Sequence, residues 1–100
     1  MSTWYDPHAG DERRAQLLRI QRLPEEYQYL RQPARLYRMY HLDEVPEQRI
    51  ANDLRWSAAY QDDPQAVDHI KTDAALLWTW AVRWKQGYDG YRRAVQRRML

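Results

Sequence analysis

Apolar residues recur along the last third of the chain at alternating spacings of three and four, the pattern of one face of a long helix. The positions are Val67, Ile70, Ala74, Leu77, Ala81, Trp84, Tyr88, Tyr91 and Val95. Trp78 and Trp80 lie off this stripe, so aromatic surface extends around the helix. Gly87 and Gly90 would each cost about 1 kcal/mol inside it. The pattern predicts a helix over 64–86 that either continues to 97 or breaks at the glycines before a short basic helix.

Prolines divide the rest of the chain into segments of helix-forming residues, because proline is tolerated at a first helical position. The segments predict helices near 10–22, 25–31, 33–43 and 47–60, and Asp63 before Pro64 is typical of a helix start. Alternating β-branched runs, the signal of strands, are missing from the sequence. We therefore expect an all-α fold of four to five short helices with a long amphipathic C-terminal helix.

The predicted organisation is one small helical domain. Residues 1–9 form an N-terminal arm, 10–62 the short helices, and 63–100 the long C-terminal helix with its basic tail. A chain of 100 residues leaves much of its surface exposed, and the absence of cysteine removes disulfides and thiolate zinc sites as sources of stability. We expect a non-compact molecule that packs on partner subunits and gains stability from them.

Charge is divided unevenly along the chain. The net charge is +2, but residues 1–82 carry ten basic and thirteen acidic side chains (net −3), whereas 83–100 carry six basic and one acidic (net +5). The basic tail consists of Arg92, Arg93, Arg97 and Arg98. We expect this tail to dock on acidic protein or lipid surfaces.

Residues typical of catalysis or metal binding form no recognisable motif. The histidines His8, His41 and His69 are far apart, and Asp73, four residues after His69, predicts only a surface hydrogen bond. Ser57 lacks the context of a nucleophile turn. Paired carboxylates fall in predicted first turns, where the helix dipole favours them. We predict no enzyme, with no catalytic, cofactor-binding or metal-binding residue.

The N-terminal sequence MSTWYDPHAGDERR has no apolar core, which argues against a secretory signal. The longest apolar run covers 74–82, about half of what a bilayer span needs. We expect no transmembrane span.

Arginine and aromatic residues are interleaved so densely that a binding surface is expected. They suit nucleic acid, through phosphate contacts and base stacking, or a protein interface, where arginine pairs with carboxylates and stacks on rings. Because acids are mixed among them outside the tail, a protein interface is favoured and nucleic acid is less favoured. The predicted interface residues are Arg22, Arg31, Arg35, Tyr37, Arg38, Trp78, Trp80 and Trp84.

The segment RLPEEYQYLRQPARLYRMY, followed by an acidic linker and two further helices, resembles the 14 kDa subunit (subunit 7) family of the mitochondrial cytochrome bc1 complex, once called the ubiquinone-binding protein. The matching residues are Arg22, Leu23, Pro24, Tyr29, Arg31, Arg35 and Arg38. Pro33, the Val45-Pro46 pair and the aromatic C-terminal helix depart from the family pattern. The Leu36-Tyr37-Arg38 triplet is also similar to the motif of LYR proteins, although there it belongs to the first helix.

The resemblance implies a non-catalytic subunit on the matrix side of the mitochondrial inner membrane that stabilises and assembles a respiratory-chain complex. Its arginines would meet acidic loops, helix C-termini or anionic lipid, and its tryptophans would pack on larger subunits of that membrane complex. The alternatives are an accessory subunit of respiratory complex I or ATP synthase, or a small RNA-binding protein of the mitochondrial ribosome. No cofactor is expected.

Overall fold

The computed structural model describes residues 9–99, and every regular element within them is helical. The elements are α1 (Ala9–Gln21), a 3₁₀ helix (Glu25–Arg31), α2 (Pro33–Tyr40), α3 (Pro46–Trp56), a second 3₁₀ helix (Ala58–Tyr60) and α4 (Ala66–Met99). The predicted all-α class with a long C-terminal helix is confirmed. The predicted N-terminal arm lies outside the described residues, except for Ala9.

The helix boundaries follow from proline and from local hydrogen bonds. Pro33 and Pro46 occupy the first turns of α2 and α3. Pro33 also holds Gln32 in an extended conformation (φ −105°, ψ 97°), so the segment before it is confined between two prolines and forms the tighter 3₁₀ helix. The helix predicted over 47–60 ends at Trp56, because Ser57 is extended and its hydroxyl donates to the Leu54 carbonyl at 2.6 Å.

Asp63 organises the turn that leads into α4. Its Oδ1 accepts the Gln65 N–H at 2.8 Å, and its backbone carbonyl accepts the Ala66 N–H at 3.2 Å. His69 contacts the second carboxylate oxygen through Nδ1 at 2.5 Å. The hydrogen bond with His69, followed by that from the Gln65 N–H, lowers the pKa of Asp63. The helix therefore starts two residues later than the sequence predicts, with Asp63 capping the preceding turn.

The core lies where α2 and α3 pack against the first half of α4. Among residues 9–99, its buried hydrophobic side chains are Ile20, Leu23, Leu30, Leu36, Tyr40, Ile50, Leu54, Tyr60, Ile70, Ala74, Leu77 and Ala81. Leu36, Ile50 and Leu54 are fully buried, and burial of each such side chain contributes about 1.5–3 kcal/mol. The chain thus has a core of its own in spite of its size.

The predicted apolar stripe of α4 is buried over only part of its length. Within the described helix, all buried residues fall between Ile70 and Ala81, whereas Val67 is 79% exposed and Tyr91 69% exposed. The helix passes through both glycines to Met99 without a break. Its distal half projects from the body, so the radius of gyration is 16.5 Å, against about 13 Å for a compact domain of this length.

A buried carboxylate attaches α1 to α4. Asp73 is fully buried and accepts two hydrogen bonds from the Arg19 guanidinium, both at 2.9 Å, and one from the Tyr60 hydroxyl at 2.7 Å. Hydrogen bonding to Asp73 raises the pKa of Arg19, and burial followed by the same carboxylate raises the pKa of Tyr60. The sequence prediction that Asp73 makes a surface contact with His69 is wrong, since His69 contacts Asp63 instead.

A second carboxylate joins the first 3₁₀ helix, α2 and α3. Asp53 Oδ2 accepts the Tyr29 hydroxyl at 3.0 Å and also accepts the Tyr40 hydroxyl. Burial, and then the hydrogen bond to Asp53, raises the pKa of Tyr29 to about 12, and the same causes raise the pKa of Tyr40. Both phenols are therefore held in their neutral form by the folded structure.

Replacement of Asp73 tests the attachment of α1. Asp73→Asn leaves the half-buried Arg19, whose side chain is 21% exposed, without its counter-charge, and we expect the free energy of unfolding to fall by about 3 kcal/mol in urea titrations. Asp89→Asn is the matched control, because Asp89 forms an exposed pair with Lys85 at 3.0 Å and its loss should cost about 0.5 kcal/mol or less. Equal effects of the two changes would contradict a structural role of the buried carboxylate.

The raised tyrosine pKa values predict sensitivity to alkali. The pKa of each of these tyrosines is higher in the folded chain than its unfolded value of about 10. The stability that the neutral phenols contribute is therefore fully present below about pH 10 and is lost as the pH rises towards about 12. Urea unfolding should therefore show stability falling above about pH 10, with a smaller fall for Tyr29→Phe. Tyr91→Phe, at an exposed position, should retain the full alkaline loss; a flat profile for the wild-type chain would refute the prediction.

The helical glycines predict a local gain in stability. A Cβ at Gly87 or Gly90 would meet nothing within 4 Å, and alanine in a helix is about 1 kcal/mol more favourable than glycine. Gly87→Ala and Gly90→Ala should each slow amide hydrogen exchange in the distal half of α4 by about fivefold. Ala94→Gly should accelerate it comparably. Unchanged exchange in all three would show that the distal half is not helical in solution.

Candidate functional site

Tyr37 lies at the centre of a group of rings contributed by α2 and α4. Its ring is nearly parallel to that of Trp78, with centroids 5.7 Å apart and planes inclined by 2°. His41 stacks on Tyr37 at 4.8 Å, and Trp84 meets it at 6.3 Å in a tilted arrangement. Tyr37 and Trp78 also pack against the core, so the group has a fixed base.

The helical repeat produces these stacks. Residues four apart lie one above the other on a helix, which brings Tyr37 of α2 over His41, the residue that follows α2 in helical conformation, and Trp84 over Tyr88 on α4. The Trp84 and Tyr88 centroids are 5.5 Å apart with planes inclined by 15°. His41 is held further by a 2.8 Å contact between its Nδ1 and the Tyr37 carbonyl. Two helices thus present a continuous line of rings.

Cationic side chains lie over these rings. The Arg38 guanidinium is 5.8 Å from the Trp84 centroid, and Lys85 Nζ is 5.8 Å from both the Tyr37 and the Tyr88 centroids. Arg92 lies 5.8 Å from Tyr88. Each contact contributes about 0.5–1 kcal/mol at an exposed site. We call the set formed by Tyr37, Arg38, His41, Trp78, Trp84, Lys85, Tyr88 and Arg92 the aromatic–cation surface.

Four predicted interface residues meet in this surface: Tyr37, Arg38, Trp78 and Trp84. Arg35 does not join them, although the sequence places it three residues from Arg38. It is exposed and lies over the Tyr29 ring at 5.6 Å, on the first 3₁₀ helix. The two arginines are therefore directed at rings of different elements.

The remaining predicted residues lie elsewhere on the molecule. Arg31 donates to the Gln21 carbonyl at 3.3 Å and so helps to join α1 to the following helix. Arg22 is exposed just after α1, and Trp80 is partly buried against the core. The basic tail, formed by Arg92, Arg93, Arg97 and Arg98, is exposed on the last turns of α4. Arg92 alone links this tail to the aromatic–cation surface.

Sequence reasoning did not identify His41 and Lys85 as members of this surface. A signal for each is present in the sequence, because His41 follows Tyr37 by four residues and Lys85 precedes Tyr88 by three. Neither spacing predicts which rings of a second helix lie next to His41 or Lys85. The contact of Lys85 with Tyr37 depends on how α2 crosses α4, which local spacing does not determine.

Across residues 9–99, no group of three histidine or acidic side chains is arranged to hold a metal ion. None of the helices described is both long and apolar enough to cross a membrane. Comparisons with protein-family models, with curated protein sequences and with solved structures each found no match to this chain.

Proposed function

We propose that this protein is a non-catalytic accessory subunit that stabilises a larger assembly by docking through its aromatic–cation surface. The observation that carries the proposal is the convergence of Tyr37, Arg38, Trp78 and Trp84, from two helices, into one group in which Trp78 stacks on Tyr37, Trp84 meets Tyr37 at a tilt and Arg38 lies over Trp84. Aromatic residues and arginine are the types enriched at the centres of protein interfaces.

The arrangement of the surface also favours tight binding. Tyr37 and Trp78 are fixed by stacking, and Arg38 and Lys85 are partly positioned by the rings beneath them. Side chains that are already ordered lose less conformational entropy when a partner covers them. The guanidinium and ammonium groups keep donors free for carboxylates or backbone carbonyls of the partner.

For the particular assembly, we propose the mitochondrial cytochrome bc1 complex, with the chain bound peripherally on the matrix side of the inner membrane. The support is the sequence resemblance around Arg22-Leu23-Pro24 and the order of short helices before a long C-terminal one. Respiratory complex I and ATP synthase are the alternatives of the same class. Anionic lipid near the arginines would fit any of the three.

A second candidate function is RNA binding, which is favoured by the exposed arginines on the last turns of α4. Such a helix can contact phosphates without reading sequence. The rings of the aromatic–cation surface are less suited to stack on bases, because cations already lie over Tyr37, Trp84 and Tyr88. We therefore rank RNA binding below protein docking.

Native electrophoresis after mild detergent extraction separates these candidates. Co-migration of the endogenous chain with a cytochrome-containing assembly is the expected result. Migration that is lost after nuclease treatment would replace the proposal with RNA binding. A free monomer would refute the accessory-subunit function.

Paired charge reversals test whether the arginines of α2 contact the partner. Arg35→Glu with Arg38→Glu should abolish assembly. A partner surface that binds arginine carries acidic groups, and these would repel the introduced glutamates. Arg13→Glu with Arg14→Glu, on the exposed first half of α1, should change assembly by about 1 kcal/mol or less.

Circular dichroism of both double variants must first show an intact helical fold. Loss of assembly for the α2 pair alone supports docking through this region. If both pairs assemble equally well, the α2 arginines are an ordinary solvated surface and the proposed docking mode is wrong.

A further inference from the structure

The distal half of α4 carries an apolar seam that is largely open to solvent. Tyr88, Tyr91 and Val95 fall within about 60° of one another around the helix axis, at 100° per residue. Tyr88 is 42% exposed, Tyr91 is 69% exposed, and Val95 is half-buried. We call these three residues the distal seam.

The distal seam continues the face that builds the core. Ile70, Ala74, Leu77 and Ala81 occupy the same three-and-four spacing one half of the helix earlier, and there α2 and α3 pack upon it. The spacing is that of a coiled-coil seam, which fits another helix laid nearly parallel to the first. The distal half of α4 therefore has the geometry of a surface on which another helix can pack.

Charge beside the seam indicates the chemistry of the partner helix. Lys85 and Arg92, seven residues apart, lie along the same flank, and residues 83–100 carry six basic groups against one acidic group. The one acid, Asp89, is paired with Lys85 at 3.0 Å. A helix with carboxylates along its edge would be attracted, whereas a second copy of α4 would bring like charges together.

We propose that an acidic amphipathic helix of a partner protein packs along the distal seam, with its carboxylates against Lys85 and Arg92. This inference rests on the proposed function as an interaction subunit and adds the chemistry of the partner. From Trp84 to Met99 the helix offers about 24 Å, so the partner contributes about two heptads.

Two other occupants fit the seam less well. One is a membrane surface. A helix that binds a membrane surface needs a broad apolar face, but Arg92 and Arg98 lie about 60° to either side of Val95 and restrict the seam to a narrow band. Single-stranded nucleic acid needs open ring faces, and both Lys85 and Arg92 lie over Tyr88.

The first test uses a synthetic peptide of about 21 residues with leucine at the seam positions and glutamate at the flanking positions. Calorimetric titration into the full chain should show binding, and the same peptide with lysine flanks should bind at least about tenfold more weakly. Equal binding of the two peptides, or no binding of the glutamate peptide, would overturn the inference.

Neighbouring arginines provide a matched pair of variants. Arg92 lies about 60° from Val95 around the helix, whereas Arg93 lies about 160° away. Arg92→Glu should weaken binding of the glutamate peptide at least about tenfold, and Arg93→Glu by about threefold or less. Equal losses would mean that the peptide responds only to net charge, and the inference would fail.

Replacing Tyr91 and Val95 by serine tests the seam itself. Both side chains lie outside the core, so the fold should persist, as circular dichroism can verify. Binding of the glutamate peptide should fall at least about tenfold. Unchanged binding would overturn the seam contact.

Competing occupants are tested with a 20-nucleotide single-stranded RNA and with vesicles containing anionic phospholipid. The choice of partner would be overturned if the RNA or the vesicles bound more tightly than the glutamate peptide and if this binding depended on Tyr91. The proposed function can fail separately, through assembly that is insensitive to Arg35 and Arg38. Conversely, a complex that needs those arginines but not the distal seam would refute only this inference.

Discussion

The carboxylate of Asp73 holds α1 and the second 3₁₀ helix against α4. It is fully buried, and its cost of burial is offset only because Arg19 and Tyr60 supply three hydrogen bonds. Arg19 belongs to α1, and Tyr60 belongs to the short 3₁₀ helix before α4. A single side chain of α4 therefore binds both of these elements to the long helix. On the same helix, α2 and α3 pack and bury Leu36, Ile50 and Leu54.

That arrangement leaves the surface of α4 unequal along its length. The half between Ile70 and Ala81 is covered by α2 and α3, and Tyr37 of α2 extends these contacts to Trp84 and Lys85. Beyond that point the same face continues with Tyr88 and Tyr91, which are exposed. The aromatic–cation surface therefore lies at the boundary between core and free helix, which is where a docked partner would extend the bundle.

Local signals account for most of what the sequence predicted. The prolines at 33 and 46 and the apolar spacing of α4 act within a few residues, so the starts of α2 and α3 and the part of the stripe between Ile70 and Ala81 were predictable. The route of α4 through Gly87 and Gly90 stayed open, because a small intrinsic penalty competes with neighbours that favour the helix. The Asp73 cluster could not be predicted: Arg19 is 54 residues away in sequence, and their contact depends on the packing of α1.

The candidate site also has a part that the sequence predicts and a part that depends on how the helices pack. The dense mixture of arginine and aromatic residues predicts an interface with Tyr37, Arg38, Trp78 and Trp84, but only the crossing of α2 over α4 brings the four together. Arg35 and Arg38 share a helix but contact different rings, because positions three apart differ by about 60° around the axis. The distal half of α4 combines two glycines with exposed rings and cations, and such features lower the local stability of a helix. A partner helix on this half would supply the packing that the rest of the chain does not, and the gain in order would itself couple docking to the integrity of the subunit.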